Sequence, residues 1–101
     1  MNFIKNIFGF GTNVNFKELI TNGAVIIDVR SPDEFRQGNI KGSINIPLQV
    51  IVQKNTQITK GKKVITVCQS GARSSMAKNI LQNLGFEVYN GGGWSSLQNK
   101  I

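Results

Sequence analysis

Lys63-Val64-Ile65-Thr66-Val67-Cys68-Gln69-Ser70-Gly71-Ala72-Arg73-Ser74 changes character twice within a few residues. After its lysine the stretch is a continuous β-branched run. That pattern predicts a strand buried on both faces, as in a parallel sheet. Cys68 stands at its end. Beyond a short loop of small and flexible residues, Ser74 to Leu84 carries apolar side chains at Met76, Ala77, Ile80, Leu81 and Leu84. This is helical spacing, and Gly85 suits the position just past a helix end. Strand, loop and helix in that order put Cys68 where open α/β sheets bind ligands, beyond the carboxyl end of a strand.

The flanking sequence repeats the alternation. Upstream, Ala24-Val25-Ile26-Ile27-Asp28-Val29 is a second continuous apolar run. Ser31-Pro32-Asp33-Glu34 then supplies an N-cap, a proline at the first helical position and acids in the first turn. Gly38 ends that helix early. Asn15, with Glu18 three residues on, predicts an earlier helix that stops near Asn22-Gly23. Ser43-Ile44-Asn45-Ile46 reads as a brief strand halted by Pro47, and Leu48 to Asn55 as helical. Phe86-Glu87-Val88-Tyr89 is a further strand, and Gly91-Gly92-Gly93-Trp94 leads into a last short helix. Strands alternating with helices predict a parallel or mostly parallel α/β sheet, with no repeat or linker dividing it.

Composition narrows the chemistry. The chain has 101 residues, a net charge of +7, no histidine and one cysteine. Surface scaling gives burial of about 65% on folding, enough for one modest core without a metal or disulfide staple. Without histidine there is no Ser-His or Cys-His dyad and no His-ligated metal. A lone cysteine removes disulfides and CxxC pairs, so no metal site is expected. An unpaired thiol fits a reducing compartment, and Met1 to Gly11 lacks the long apolar core and cleavage site of a signal peptide. A cytoplasmic protein is the expectation. Phe3, Ile4, Ile7 and Phe8 fall on one helical face and predict a short docking turn. No apolar run is long enough for a membrane span. The positive charge attracts anions. Its one dense cluster, Lys60, Lys62 and Lys63, has no aromatics beside it to stack bases and reads as a solvated turn, so no nucleic-acid partner is expected.

The Cys68 loop is where chemistry concentrates. Ser70, Gly71 and Ala72 let the chain curl so that backbone N–H groups from Gln69 to Arg73 point inward at a helix N-terminus, an arrangement that cradles anions. A thiol at its centre has a depressed pKa, because the same field stabilises the thiolate. Arg73 closes the loop with a forked set of donors. The plainer alternative is that Cys68 is a small buried hydrophobe at a strand end.

Three stretches together resemble the rhodanese-like domain family of single-domain sulfurtransferases. Ile27-Asp28-Val29-Arg30-Ser31-Pro32-Asp33-Glu34-Phe35 matches its Asp-Val-Arg…Glu-Phe signature. Gly38-Asn39-Ile40-Lys41-Gly42-Ser43-Ile44-Asn45-Ile46-Pro47 matches its Gly-His-Ile-x-Gly-Ala-x-Asn-Ile-Pro signature, with Asn39 in place of His and Ser43 in place of Ala. The Cys68–Ser74 loop and Gly91-Gly92-Gly93-Trp94 complete the set, in order over roughly residues 14 to 99. The resemblance implies a domain over 12–101 after a short extension at 1–11. It implies a central, mostly parallel five-stranded sheet flanked by helices on both faces. It also implies a sulfur relay without cofactor. Cys68 would take the outer sulfur of thiosulfate or a persulfide and pass it to cyanide or a thiol, carried by a small molecule or a thioredoxin-like protein. Gln69, Ser70, Gly71, Ala72 and Arg73 would bind the small anionic donor. Asp28, Arg30 and Glu34 either brace the loop or form a local strand-end ion pair. Trp94 either walls the pocket or belongs to the core.

Two rivals differ in class. Phosphatases and arsenate reductases also set a cysteine in an amide loop that ends in arginine, but they place five residues between the two, and here four intervene. A non-enzymatic module binding partners through the same face is the other, although such modules usually lack the cysteine.

Overall fold

The structure is a computed structural model that describes residues 14–101; the docking turn read at residues 3–8 lies outside them. The chain runs α1 (Phe16–Thr21), β1 (Val25–Asp28), α2 (Pro32–Arg36), β2 (Ile44–Asn45), then a winding segment around α3 (Ile51–Lys54). After it come β3 (Lys63–Cys68), α4 (Ala72–Asn83), β4 (Glu87–Gly93) and α5 (Trp94–Gln98). The strands lie side by side in the order β2-β1-β3-β4, all parallel.

Local chemistry explains the element ends. Asn15 Oδ1 accepts the Glu18 amide at 3.0 Å and starts α1. Ser31 and Glu34 form a reciprocal capping box at α2, with Pro32 at its first turn. Gly85 takes φ +99° just beyond α4, a conformation cheap only for glycine.

The β-branched runs are buried on both faces. Side chains of β1 and β3 alternate between two apolar cores. Ile27, Val29, Val64 and Cys68 pack with Ile51, Ile58, Ala77 and Leu81, beneath α3 and α4. Ile26, Ile65 and Val67 pack with Leu97, Phe16, Leu19 and Trp94, beneath α1 and α5. Two-sided cover is why neither strand alternates apolar with polar.

Two expectations differ from the structure. Four strands, not five, form the sheet among the described residues. Leu48–Gln57, read from sequence as helical to Asn55, coils as 3₁₀, α and 3₁₀ turns and sends Leu48, Val50 and Ile51 into the core. β4 also continues past Tyr89 through the glycine run. Thr66 pairs with Asn90 and Val67 with Gly92, so the strand steps over Gly91 in a bulge. A Cβ on Gly91 would come within 2.8 Å of Ile65 Cγ2, which is why this length of strand needs glycine.

Candidate active site

Cys68 is the last residue of β3 and is 1% exposed. The chain turns immediately. Gly71, at φ +106°, caps α4 without a capping side chain and aims its N–H at Cys68 Sγ, 3.0 Å away. The cysteine sulfur thus occupies the place of an N-cap acceptor, where the helix dipole favours negative charge. Ser74 Oγ, fully buried one turn into α4, lies 3.5 Å from the same sulfur. Burial pushes the thiol pKa up. Hydrogen bonding outweighs it, first from the Ser74 hydroxyl and then from the amides of Ser74, Gly71 and Ser70, so the net shift is downward. Cys68 is therefore buried and packed on the α4 side of the core, as the plainer reading expected, yet it also faces inward-pointing amides.

Ser74 is itself held. Its hydroxyl lies 2.7 Å from Asn90 Oδ1 and 3.0 Å from the Gly71 carbonyl, and Asn90 Oδ1 also accepts the Gly92 amide at 2.9 Å. A hydroxyl has one proton to give. These acceptors hold it until an ionised Cys68 competes for it.

Arg73 does not face the site as a free charge. Its guanidinium is paired two-pronged with Glu34 (Nη1–Oε1 2.7 Å, Nη2–Oε2 3.0 Å), and both side chains are about one-third exposed. The Arg73 hydrogen bond is the largest influence holding Glu34 at about 2, and the Ser31 amide adds to it. Glu34 therefore serves two elements at once, closing the capping box of α2 and tethering the first turn of α4. Of the braces considered from sequence, this is the one that reaches the loop.

Asp28 and Arg30 form the local ion pair. Both are buried, with Arg30 Nε 2.9 Å from Oδ1 and Nη2 2.7 Å from Oδ2 of Asp28. Arg30 also donates to the carbonyls of Gly38 (2.7 Å) and Glu34 (3.3 Å), which ties α2 to the strand end. Asn45 Nδ2 donates to the carbonyls of Asp28 and Arg30, each at 2.9 Å.

Beside the loop, Arg30, Glu34, Gln37, Gly38, Gln69 and Trp94 line a pocket of about 180 Å³. Trp94 fills both roles considered for it. Its ring stacks 4.8 Å from the Arg30 guanidinium and walls the pocket, while also packing against the α1/α5 core. Gln69, Ser70 and Ala72 are exposed at the rim. A Cβ on Gly93 would sit 2.8 Å from the Gln69 carbonyl, so the glycine run lets β4 press against the loop.

The structure puts Cys68 and its loop at the end of β3 and turns Arg73 onto Glu34, while sequence reading gives no role to the Ser74 hydroxyl or to Asn90. Ser74 is readable as one helical turn past Gly71, facing back toward the strand. Asn90 depends on the β3–β4 register, which the sequence does not carry. The lysine cluster lies at the far end of β3. Lys60 donates to the Leu84 carbonyl (3.1 Å) and stacks on Phe86, and Lys63 pairs with Glu87. Among the described residues no cluster of metal-ligating side chains occurs, and no helix is long and apolar enough to cross a membrane.

The family model for the rhodanese-like domain matches residues 12–100. A protein of Bacillus subtilis named uncharacterized protein YqhL is 41% identical over 80 residues, covering 77% of this chain and 64% of that protein. Thiosulfate sulfurtransferase PspE of Escherichia coli is 37% identical over 70 residues, 66% of this chain and 67% of that one. The crystal structure of a rhodanese-related protein from Thermoplasma volcanium superposes with a TM-score of 0.72 at 30% identity, covering 86% of this chain and 89% of its own. The chain thus spans about two thirds of the length of these two curated relatives.

Proposed function

We propose that this chain, which belongs to the rhodanese-like domain family, moves a sulfane sulfur from thiosulfate or a persulfide through Cys68 to a thiol or cyanide acceptor. One observation carries the reading: a buried strand-end thiol receives the Gly71 N–H at 3.0 Å at the start of a twelve-residue helix. In this reading Cys68 thiolate attacks the outer sulfur of the donor. An S–S bond forms to Cys68 as the donor's own bond to that sulfur breaks, and the leaving group departs with the electron pair as sulfite or thiolate. The Cys68 persulfide anion then sits over the amides of Ser70, Gly71 and Ser74, which offset its charge without reorganising. Gln69, Ser70, Ala72 and Arg73 form the rim over which donor and acceptor approach. A thiol acceptor, small or on a thioredoxin-like protein, attacks the outer sulfur and returns Cys68 to thiolate. A reducing, cytoplasmic setting suits this cycle, because it keeps the single cysteine free.

The Glu34–Arg73 pair also weighs against the phosphatase reading, which needs that guanidinium for the substrate's oxygens. Intact-mass measurement after incubation with a sulfur donor tests the proposal. The wild-type chain should gain one sulfur atom that cyanide removes, and Cys68→Ser should gain none while folding normally. Sulfur retained by the serine variant would refute the assignment.

A further inference from the structure

Gly71 and Ser74, the two residues whose donors lie against the Cys68 sulfur, are both gripped from the neighbouring strand by one side chain. Asn90 Oδ1 lies 2.7 Å from Ser74 Oγ, and Asn90 Nδ2 donates to the Gly71 carbonyl at 3.4 Å. The Gly92 N–H donates to the same Oδ1 at 2.9 Å, which fixes the amide with its oxygen toward Ser74. The bulge at Gly91 brings that N–H back onto the side chain, since Asn90 pairs with Thr66 and Gly92 with Val67.

Asn90 and Cys68 therefore compete for one proton. Asn90 Oδ1 and the Gly71 carbonyl can only accept, so the Ser74 hydroxyl points at one of them while Cys68 is a thiol. The S–H of Cys68 then faces Ser74 Oγ at 3.5 Å. On ionisation the hydroxyl must leave Asn90 and turn to the sulfur. A neutral amide oxygen gives it up readily, whereas a carboxylate would hold it by a charge-assisted bond roughly twice as strong. The charged groups at this edge are already paired, Arg73 with Glu34 and Arg30 with Asp28. The carboxylate of β4, Glu87, lies at the opposite end of the strand beside Lys63 and Tyr89.

Resting on the sulfurtransferase reading, we propose that Asn90 is a positioning residue for the transfer step. It holds the Ser74 hydroxyl in reserve while Cys68 is a thiol and releases it when Cys68 becomes the attacking thiolate. Asn90 touches neither the sulfur nor the donor, and it acts through Ser74. The strength of its acceptor sets how readily Cys68 ionises, and its neutrality keeps that balance between too weak a hold and too strong a one.

The test titrates the thiolate absorbance of the single cysteine in the full chain and follows sulfur loading from thiosulfate and from glutathione persulfide by intact mass. Asn90→Asp should raise the Cys68 midpoint by about one pH unit or more, and the rise of the loading rate with pH should move with it. Asn90→Ala removes the competing acceptor without adding charge, so it should lower the midpoint. A side chain that only braced the loop would raise it when removed. In a Ser74→Ala background the effect of Asn90→Ala should vanish, because no hydroxyl is left to compete for. The alanine variants carry the test alone if Asn90→Asp folds poorly. A midpoint that Asn90→Ala leaves unchanged or raises, or that it lowers equally with and without the Ser74 hydroxyl, overturns the role of Asn90. The sulfurtransferase reading then stands if the wild-type chain loads. A wild-type chain that gains sulfur from neither donor overturns both.

Discussion

A sulfur atom buried to 1% exposure holds a negative charge only if something replaces the water it has lost. Around Cys68 that role falls to the Gly71, Ser70 and Ser74 amides and to the Ser74 hydroxyl. The hydroxyl differs from the amides in being movable. In the thiol state its proton is shared toward Asn90 Oδ1 and the Gly71 carbonyl, and in the thiolate state it can turn 3.5 Å to the sulfur. Ser74→Ala removes that donor and keeps the amides. The variant should fold, its sulfur-loading rate at neutral pH should fall severalfold, and the rise of that rate with pH should move to higher pH. An unchanged pH profile would mean that Ser74 only fills space.

The elements around the loop are joined by Glu34. α2 is five residues long and has no stability of its own to spare. Its capping box fixes the Glu34 side chain, and that side chain in turn holds Arg73 in the first turn of α4. Glu34 is depressed from 4.5 to about 2 in the folded state. Its contribution to stability is thus complete above its unfolded value and disappears as pH falls from about 4.5 toward 2. Urea denaturation across that range should show stability dropping with acid, and Glu34→Gln should flatten this part of the profile. A wild-type curve as flat as the variant's would contradict the coupling. Much of this is legible in advance. Ser31-Pro32-Asp33-Glu34 announces the capping box, and Cys68 to Ser74 announces a loop feeding a helix. The partner of Arg73 is not legible, because thirty-nine residues separate it from Glu34 and only the pairing of β1 with β3 brings them together. Nor is the length of β4. Gly91-Gly92-Gly93 has no strand propensity, and it joins the sheet because Val67 and Cys68 pair with Gly92 and Gly93.

Across the whole molecule, charge and chemistry are kept apart. The parallel sheet puts every strand's carboxyl end on one edge, with Cys68, Asp28 and the glycine run of β4 together there. Lys60, Lys62 and Lys63 gather at the opposite edge. The length of β3 at about 3.3 Å per residue leaves them more than about 13 Å from the sulfur. Replacing all three by glutamine should change sulfur-loading turnover less than about twofold at physiological salt, where screening acts over about 8 Å. A tenfold loss would show that the field at the active edge depends on them. This separation is readable from the sequence, since the strand's two ends are visible in it. The expectation of five strands comes from the family resemblance, whereas the residues themselves read as the four strands found among those described.

Because the chain has a single cysteine, thiolate absorbance reports one site without ambiguity. Titrating the folded protein and the same protein in denaturant compares Cys68 with and without its ring of amides. The midpoint should lie lower in the folded protein. A folded midpoint equal to or above the denatured one would mean that burial prevails over the loop, and that Cys68 is not the sulfur carrier described here.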